Sequence, residues 1–335
     1  MRDVARLAGV STATVSAVLN GKGTVSPELT LRVEKAMQAL DYHPDQIARS
    51  LRVGRSNVIG MIVPDVSNLF YAEILRGVEE SCQKIGYSVI LSGSSDDSGN
   101  ERRHLETLYA RRVDGVLLAS SVSEAAYDRL TLRRFPLVFV DSVPAGVTSG
   151  AVVVDNAEAA FVATNHLIGL GHRRIAIITG RLDRSVGLDR MNGYRRALRE
   201  AGIWIPDDFV MHGDFHVESG YKYGAELMRL PTPPTAIFCC NNRMTLGLLR
   251  ALSEQRINCP NDVSVVGFDD ADWATSFTPR LTCVAQPTYE IGKRAIGMLL
   301  KKIDAADADG AGQEPNVILH AELQVRESTG HPRDK

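Results

Sequence analysis

Hydrophobic positions near the N-terminus recur at intervals of three and four residues, which is the period of an amphipathic helix. Val4, Leu7 and Ala8 share one face of a first helix, and Gly9 is placed to end that helix in a left-handed conformation. Ser11 then begins a second helix as its N-cap. Two short helices joined by a tight turn that contains glycine predict a helix-turn-helix.

A third helix is predicted from Ser26-Pro27, because serine is a good N-cap and proline suits the first helical position. Its apolar stripe runs as far as Leu40, so three helices can share one small core. On the second helix, small or hydroxylic side chains point away from that core near the N-terminal end, which is the end that enters a major groove. These candidate base and phosphate contacts are Ser11, Thr12, Ala13, Thr14, Ser16 and Ala17.

From Val58 onward, short apolar runs alternate with amphipathic segments. Such alternation predicts an α/β fold in which helices cover both faces of parallel sheets. The pattern restarts after Val154, which predicts two similar lobes. The predicted strands lie at 58–63, 89–91, 116–119, 137–140, 152–154, 175–179, 236–240 and 263–268.

The composition is that of an ordinary globular protein. The 335 residues are 44% hydrophobic and 23% charged, which excludes general disorder and suits two domains. Residues 1–56 carry eight Lys and Arg against five acids, while the whole chain has a net charge of −2. A basic head on an acidic body is typical of a nucleic-acid contact at one end. Five cysteines without CxxC spacing favour a reducing cytoplasm over a disulfide framework or a zinc site.

Several ordered motifs closely resemble the lac/galactose repressor family of bacterial transcriptional regulators. The resemblance covers nearly the whole chain and implies a three-helix helix-turn-helix head (1–43), a hinge helix and linker (44–56), and a periplasmic-binding-protein-like bilobal sensor with two parallel doubly wound sheets (57–335). Lobe 1 would comprise about 57–154 and 287–313, and lobe 2 about 155–286 and 314–335. The motifs are residues 3–20, 42–51, 59–68, 112–116, 171–176, 262–269 and 278–282.

The hinge between Asp45 and Leu51 is too short to be a stable helix by itself, and without the resemblance it would be interpreted as a solvated linker. In this family the hinge folds in the minor groove, where a leucine that matches Leu51 wedges the central base step. Pairing of two hinges requires a homodimer on a palindromic operator. The implied minor-groove residues are Ala48, Arg49, Leu51 and Arg52.

Two positions depart from the family pattern. The chain begins at Met1-Arg2 without the usual Thr-Ile pair, so either the start is truncated or the first helix is less well capped. Ala17 stands where relatives often have Arg or His. Alanine can touch a thymine methyl but cannot hydrogen-bond a guanine, so we expect a different operator.

Ligands of parallel α/β folds bind outside the carboxyl ends of the strands. The alternative for the polar residues found there is a strand-end cap or an interlobe salt bridge. Arg181, Arg184 and Arg190 near one strand end favour an anionic effector, whereas Arg184 and the Phe70-Tyr71 pair equally resemble the purine-binding member of the family. Position 186 is Val, however, where that member has a hydroxyl residue. The implied effector-binding residues are Phe70, Tyr71, Asp141, Arg184, Arg190, Phe215, Asn241, Asp269 and Trp273.

The sequence thus predicts a DNA-binding transcriptional repressor in the bacterial cytoplasm, associated with the nucleoid and controlled by a small molecule bound between the lobes. A sugar or sugar acid is favoured, and a purine-type corepressor is the alternative. A sugar-binding transport protein is disfavoured by the head and the missing secretory signal. We expect no enzyme, because no Walker A or Gly-x-Ser-x-Gly motif occurs. We also expect no cofactor, metal site or membrane partner.

Overall fold

The computed structural model describes residues 1–20, 25–42, 54–121, 136–144, 150–307 and 315–333. The chain divides into two compact units, Met1–Asn57 and Val58–Lys335. The predicted hinge residues Ala48, Arg49, Leu51 and Arg52 lie outside the described residues, so the hinge helix stays a prediction.

The described part of the N-terminal unit consists of α1 (Arg2–Ala8), α2 (Thr12–Asn20) and α3 (Pro27–Ala39). Their start and stop signals act as predicted. Gly9 follows α1 with a φ of 64°. The Thr14 N–H donates to Ser11 Oγ at 3.0 Å, and Ser26 Oγ accepts from the Leu29 N–H at the start of α3.

The three helices share a small apolar core of Val4, Ala5, Ala8, Val15, Val33 and Ala36. The prediction that Leu7 faces this core is wrong, because Leu7 is 57% exposed and Ala5 takes the inner position. Arg32 of α3 joins the helices through polar contacts. Its guanidinium donates to the carbonyls of Ala8 at 2.6 Å and Gly9 at 3.3 Å. It thereby satisfies carbonyl groups that the end of α1 leaves without helical partners.

Lobe 1 of the C-terminal unit is built on a sheet with the strand order β11-β5-β4-β3-β1-β2, in which all pairs are parallel. Helix α10 packs on α4 and across the middle strands. The strands are β1 (Val58–Val63), β2 (Ser88–Gly93), β3 (Gly115–Leu118), β4 (Leu137–Val140), β5 (Ala151–Val154) and β11 (Val317–Leu319). The helices are α4 (Leu69–Gln83), α5 (Ser98–Ala110) and α10 (Thr288–Asp307).

Lobe 2 repeats this plan with the strand order β12-β10-β9-β8-β6-β7, in which β12 alone is antiparallel to its neighbour. Its strands are β6 (Ile175–Thr179), β7 (Val210–His212), β8 (Ala236–Cys239), β9 (Ser264–Phe268), β10 (Thr282–Ala285) and β12 (Glu322–Gln324). Its helices are α6 (Asn156–Gly169), α7 (Ser185–Glu200), α8 (Val217–Leu227) and α9 (Asn242–Glu254), with 3-10 turns at Asp207–Phe209 and Asp272–Thr275.

At three points of the described chain the backbone passes from one lobe to the other. It crosses after Val154 and near Pro287, where the sequence placed the first two crossings. The third crossing lies between Leu319 and Glu322, later than the predicted Gln313. The reason is that β11 pairs in parallel with β5, which keeps residues 317–319 in lobe 1.

Helix α7 begins at Ser185, close behind β6. The first turns of α7 bury Val186 and Arg190. Packing against the rest of lobe 2 therefore stabilises a helix in a segment whose sequence has no regular apolar stripe. Within the described residues, no helix has both the length and the apolar character needed to cross a bilayer.

Candidate ligand-binding cleft and DNA-binding surface

A cleft lies between the two lobes of the C-terminal unit, at the carboxyl ends of their strands. This is the position at which folds built on parallel sheets bind small molecules. Sequence reasoning missed further lining residues, among them Asn68, Asp96 and His216. Of the nine predicted effector residues, the structure brings together eight, namely Phe70, Tyr71, Asp141, Arg184, Arg190, Phe215, Asn241 and Asp269.

Trp273 does not line this cleft. It lies in the 3-10 turn after β9 and packs against the lobe 2 core. Its ring centroid is 6.3 Å from that of Phe277. These contacts give Trp273 a packing role in lobe 2.

Two buried carboxylates form the acidic part of the cleft. Asp141 follows β4 and Asp269 follows β9, and both have left-handed backbones with φ of 64° and 69°. Burial raises the pKa of Asp141 to about 6, with Arg190 opposing the rise and Asp269 adding to it. Burial also raises the pKa of Asp269, again opposed by Arg190.

Neighbouring side chains orient both carboxylates. The Tyr71 hydroxyl donates to Asp141 Oδ2 at 3.0 Å, and Gln286 Nε2 donates to Asp269 Oδ1 at 2.6 Å. Burial and the adjacent Asp141 raise the pKa of Tyr71 well above its usual range, so its hydroxyl remains a donor. Each of these two hydrogen bonds involves one oxygen of its carboxylate. The other oxygens, Asp141 Oδ1 and Asp269 Oδ2, take part in neither bond.

Arg190 is held rigidly between the two acids. Its Nε donates to Asn156 Oδ1 at 2.8 Å and its Nη1 donates to the Cys240 carbonyl at 2.5 Å. The guanidinium carbon lies 3.7 Å from the centroid of the Phe268 ring. The third guanidinium nitrogen, Nη2, makes no hydrogen bond to the described residues. A buried, fixed guanidinium of this kind is suited to orient a polar ligand.

Arg184 and Asp96 meet across the cleft as a buried ion pair. Arg184 precedes α7 in lobe 2, and its Nη2 contacts Asp96 Oδ1 of lobe 1. The side chains are 4% and 15% exposed. The other oxygen of Asp96 lies 3.4 Å from His216 Nε2. Asp96 follows β2, so the strand-end rule that selected Asp141 would also have found it.

Asn241 positions its neighbours. Its Oδ1 accepts the Met244 N–H at 2.9 Å and so caps α9, while its Nδ2 donates to the Phe215 carbonyl at 2.9 Å. Phe215 itself has a φ of 74°. Its ring occupies the space that a side chain at Gly180 would need, so glycine is required there. The amide thereby fixes an aromatic wall of the cleft.

A second group of polar contacts joins the lobes beside this cleft. Asn242 Nδ2 donates to Asn68 Oδ1 at 2.8 Å, and Arg243 Nη1 donates to Ser67 Oγ at 3.1 Å. Both donors stand at the start of α9, and both acceptors at the start of α4. The relative position of the lobes is thus specified by hydrogen bonds that need no ligand.

In the N-terminal unit, the predicted major-groove residues share the outer surface of α2. Ser11, Thr12 and Ala13 are exposed, and Thr14, Ser16 and Ala17 are half-buried. The buried Val15 points to the opposite side. The hydroxyls of Ser11 and Thr14 lie 2.9 Å apart. Small, polar side chains beside a helix N-terminus leave the backbone free to approach a phosphate or a base edge.

Fold and cleft together define a two-lobed ligand-binding protein that carries a helix-turn-helix head. Residues 1–45 match the family described as bacterial regulatory proteins, lacI family, and residues 164–329 match the periplasmic binding protein-like domain.

Whole-chain relatives agree with both matches. The ribose operon repressor of Escherichia coli K12 is 40% identical over 90% of this chain and 92% of its own, and the HTH-type transcriptional repressor PurR of Vibrio atlanticus is 37% identical over 92% of both. The solved lac repressor dimer bound to operator and an anti-inducer superposes with a TM-score of 0.86, at 26% identity over 98% of both chains. The chain belongs to the lacI family of bacterial regulatory proteins.

Proposed function

We propose that the protein is a transcriptional repressor that binds operator DNA through α2 and is switched by a small molecule bound in the interlobe cleft. The observation that carries this proposal is the convergence of Asp141, Arg190 and Asp269. They come from three separate elements and meet at the carboxyl ends of the strands, in a chain whose N-terminal residues match a family of regulators. A ligand controls such a protein only through different affinities for two interlobe geometries.

The charges of the cleft favour a neutral polyhydroxylated effector over a sugar acid. Two of the three guanidinium groups that the sequence offers to an anion already have carboxylate partners: Arg181 pairs with Asp183 at 2.5 Å, and Arg184 pairs with Asp96. The third, Arg190, interacts with the charges of both Asp141 and Asp269. The lining residues include four carboxylates against two arginines. Carboxylates accept hydrogen bonds from sugar hydroxyls and repel anions, so a neutral sugar fits this set.

The first sugar to test is ribose, because the ribose operon repressor is 40% identical to this chain. A purine is the second candidate, because Phe70 and Tyr71 stand edge to face at 5.0 Å beside Phe215 and offer planar apolar surface. Val186 weighs against a purine, since this lining side chain cannot hydrogen-bond a ring nitrogen or a carbonyl.

On DNA we infer a homodimer that binds a palindromic operator in the nucleoid, with residues 1–43 as the head. The solved lac repressor relative is a dimer bound to operator. Leu51 is the proposed wedge in the minor groove, and the neighbouring hinge contacts are Ala48, Arg49 and Arg52. An apolar wedge stabilises a kinked base step, which lets the protein cover more of the duplex.

A thermal-shift screen followed by calorimetry tests the effector site. D-ribose, a sugar acid and guanine are compared, because a ligand at 100 times its Kd raises the free energy of unfolding by about 2.7 kcal/mol. We expect the neutral sugar to stabilise the wild type and to lose affinity for Asp269→Asn. Asp272→Asn removes an exposed carboxylate three residues later and is the matched control. Full ligand affinity in Asp269→Asn would rule out this cleft as the site.

A further inference from the structure

We propose that Asp96 acts as a built-in anion that makes the cleft reject phosphorylated and other anionic ligands. The proposal rests on the function of the cleft as an effector site, which it deepens by naming the ligands that are excluded and the residue that excludes them. Its basis is the surroundings of Arg184, which would otherwise form an anion site.

Two positive features meet at Arg184. Its guanidinium side chain is only 4% exposed, and its Nε has no hydrogen-bond partner among the described residues. Arg184 is also the N-cap residue of α7, a helix of 16 residues with no acidic side chain in its first turn. A helix N-terminus attracts negative charge, and a guanidinium matches phosphate or carboxylate oxygens.

Asp96 occupies the place that the anionic group of a ligand would take. Its Oδ1 pairs with Arg184 Nη2, and its Oδ2 faces His216 Nε2 at 3.4 Å. Both partners belong to lobe 2, whereas Asp96 follows β2 of lobe 1. One carboxylate of lobe 1 therefore pairs with Arg184 and contacts His216, both of lobe 2.

An incoming phosphate would have to displace Asp96 and leave this carboxylate buried without its partner, which is costly in a desolvated site. It would also bring a further negative charge close to Asp141 and Asp269. A hydroxyl group meets neither obstacle. Asp96 thus makes the cleft select against anions, and the carboxylates of Asp141 and Asp269 reinforce this selectivity.

The test measures binding of inorganic phosphate by calorimetry and thermal shift at constant ionic strength. This probe does not depend on which sugar is the effector. We expect no phosphate binding by the wild type and a gain of about tenfold or more in phosphate affinity for Asp96→Asn. Asp183→Asn removes the same charge from the Arg181 pair nearby and is the matched control, for which we expect no gain. The double variant Asp96→Asn/Arg184→Met should lose the gain.

Three outcomes would overturn the proposal: Asp96→Asn that folds and gains no phosphate affinity, a gain of equal size in Asp183→Asn, or tight phosphate binding by the wild type. The melting temperature of each variant without ligand shows whether it is folded. A failure of the proposed function would be seen separately, as a wild-type protein that no neutral sugar or purine stabilises. The phosphate affinities of the variants do not depend on that result.

Discussion

At the scale of single residues, the cleft and its surroundings bury several ionisable groups, and Glu101 is one whose side chain is fully removed from solvent. It lies in α5 and accepts hydrogen bonds from the Ser121 N–H at 2.5 Å and the Ser120 hydroxyl at 3.4 Å. Burial raises the pKa of Glu101 to about 7, although the bonds from Ser121 and the charge of Arg184 oppose the rise.

Glu101 should make the protein less stable as the pH rises. A pKa above the unfolded value means that the folded state binds the proton more tightly, so the stabilising contribution is complete below pH 4.5 and is lost as the pH passes about 7. The shift corresponds to about 2–4 kcal/mol. We expect Glu101→Gln to raise the free energy of unfolding at pH 8 and to flatten its dependence on pH in urea titrations.

Glu106→Gln is the control, because Glu106 is an exposed residue of the same helix and makes only an i,i+4 pair with Arg102. It should change the free energy of unfolding by less than about 0.5 kcal/mol. Equal pH dependence in Glu101→Gln and the wild type would show that Glu101 is already charged in the folded protein at neutral pH.

At the scale of elements, α2 is the proposed recognition helix, and the side chains on its outer face are small. Ala17 is half-buried and has no hydrogen-bonding group on its side chain. We expect Ala17→Arg to change base preference at one position per half-site by about 1–3 kcal/mol, because arginine can bond guanine in the major groove. Selection of binding sites from a random DNA library measures the change. An unchanged consensus with uniformly tighter binding would mean that Arg at position 17 contacts phosphate.

The sequence predicted elements best where a local signal decides them. Gly9 and Ser26-Pro27 mark helix ends as expected, because capping depends on near neighbours. The start of α7 and the pairing of β11 were not predictable, since the first depends on burial of Arg190 and the second on a strand more than 160 residues away.

The same division holds for the cleft. Asp141 and Asp269 follow strongly apolar strands, so the strand-end rule finds them directly from the sequence. The partner of Arg184 could not be predicted, because Asp96 reaches Arg184 only once the lobes meet. Trp273 was assigned by resemblance alone, and its 3-10 turn carries it out of the cleft.

At the scale of the whole molecule, the lobes are joined by three backbone crossings and by side-chain contacts between α4 and α9. These contacts stabilise the interlobe geometry in which they form. The sign of the regulatory switch therefore depends on which interlobe geometry the effector favours and which geometry binds DNA.

Arg190→Ala and Asp269→Ala report that sign. Removing either charged partner leaves ligand groups unpaired in a closed site, which should cost about 2–4 kcal/mol of ligand affinity. In a reporter strain we expect constant repression if the effector is an inducer and constant expression if it is a corepressor. The Asp272→Ala variant should respond as the wild type does. A normal response from both cleft variants would show that neither side chain contacts the effector.

The crossings also determine the order in which the protein is completed during synthesis. Lobe 1 begins at Val58, yet two of its elements follow the main part of lobe 2 in the sequence. They are its edge strand β11 and the helix α10 that covers its sheet. At about 5–20 residues per second, the ribosome needs many seconds between making β5 and delivering α10. During that time Ile74 and Val138 lack the apolar partners that α10 supplies to their cluster. Lobe 1 is completed only when α10 and β11 have been made, close to the C-terminal end of the chain. The nascent chain therefore exposes an unfinished first lobe to chaperones and proteases until almost all of the protein has been made.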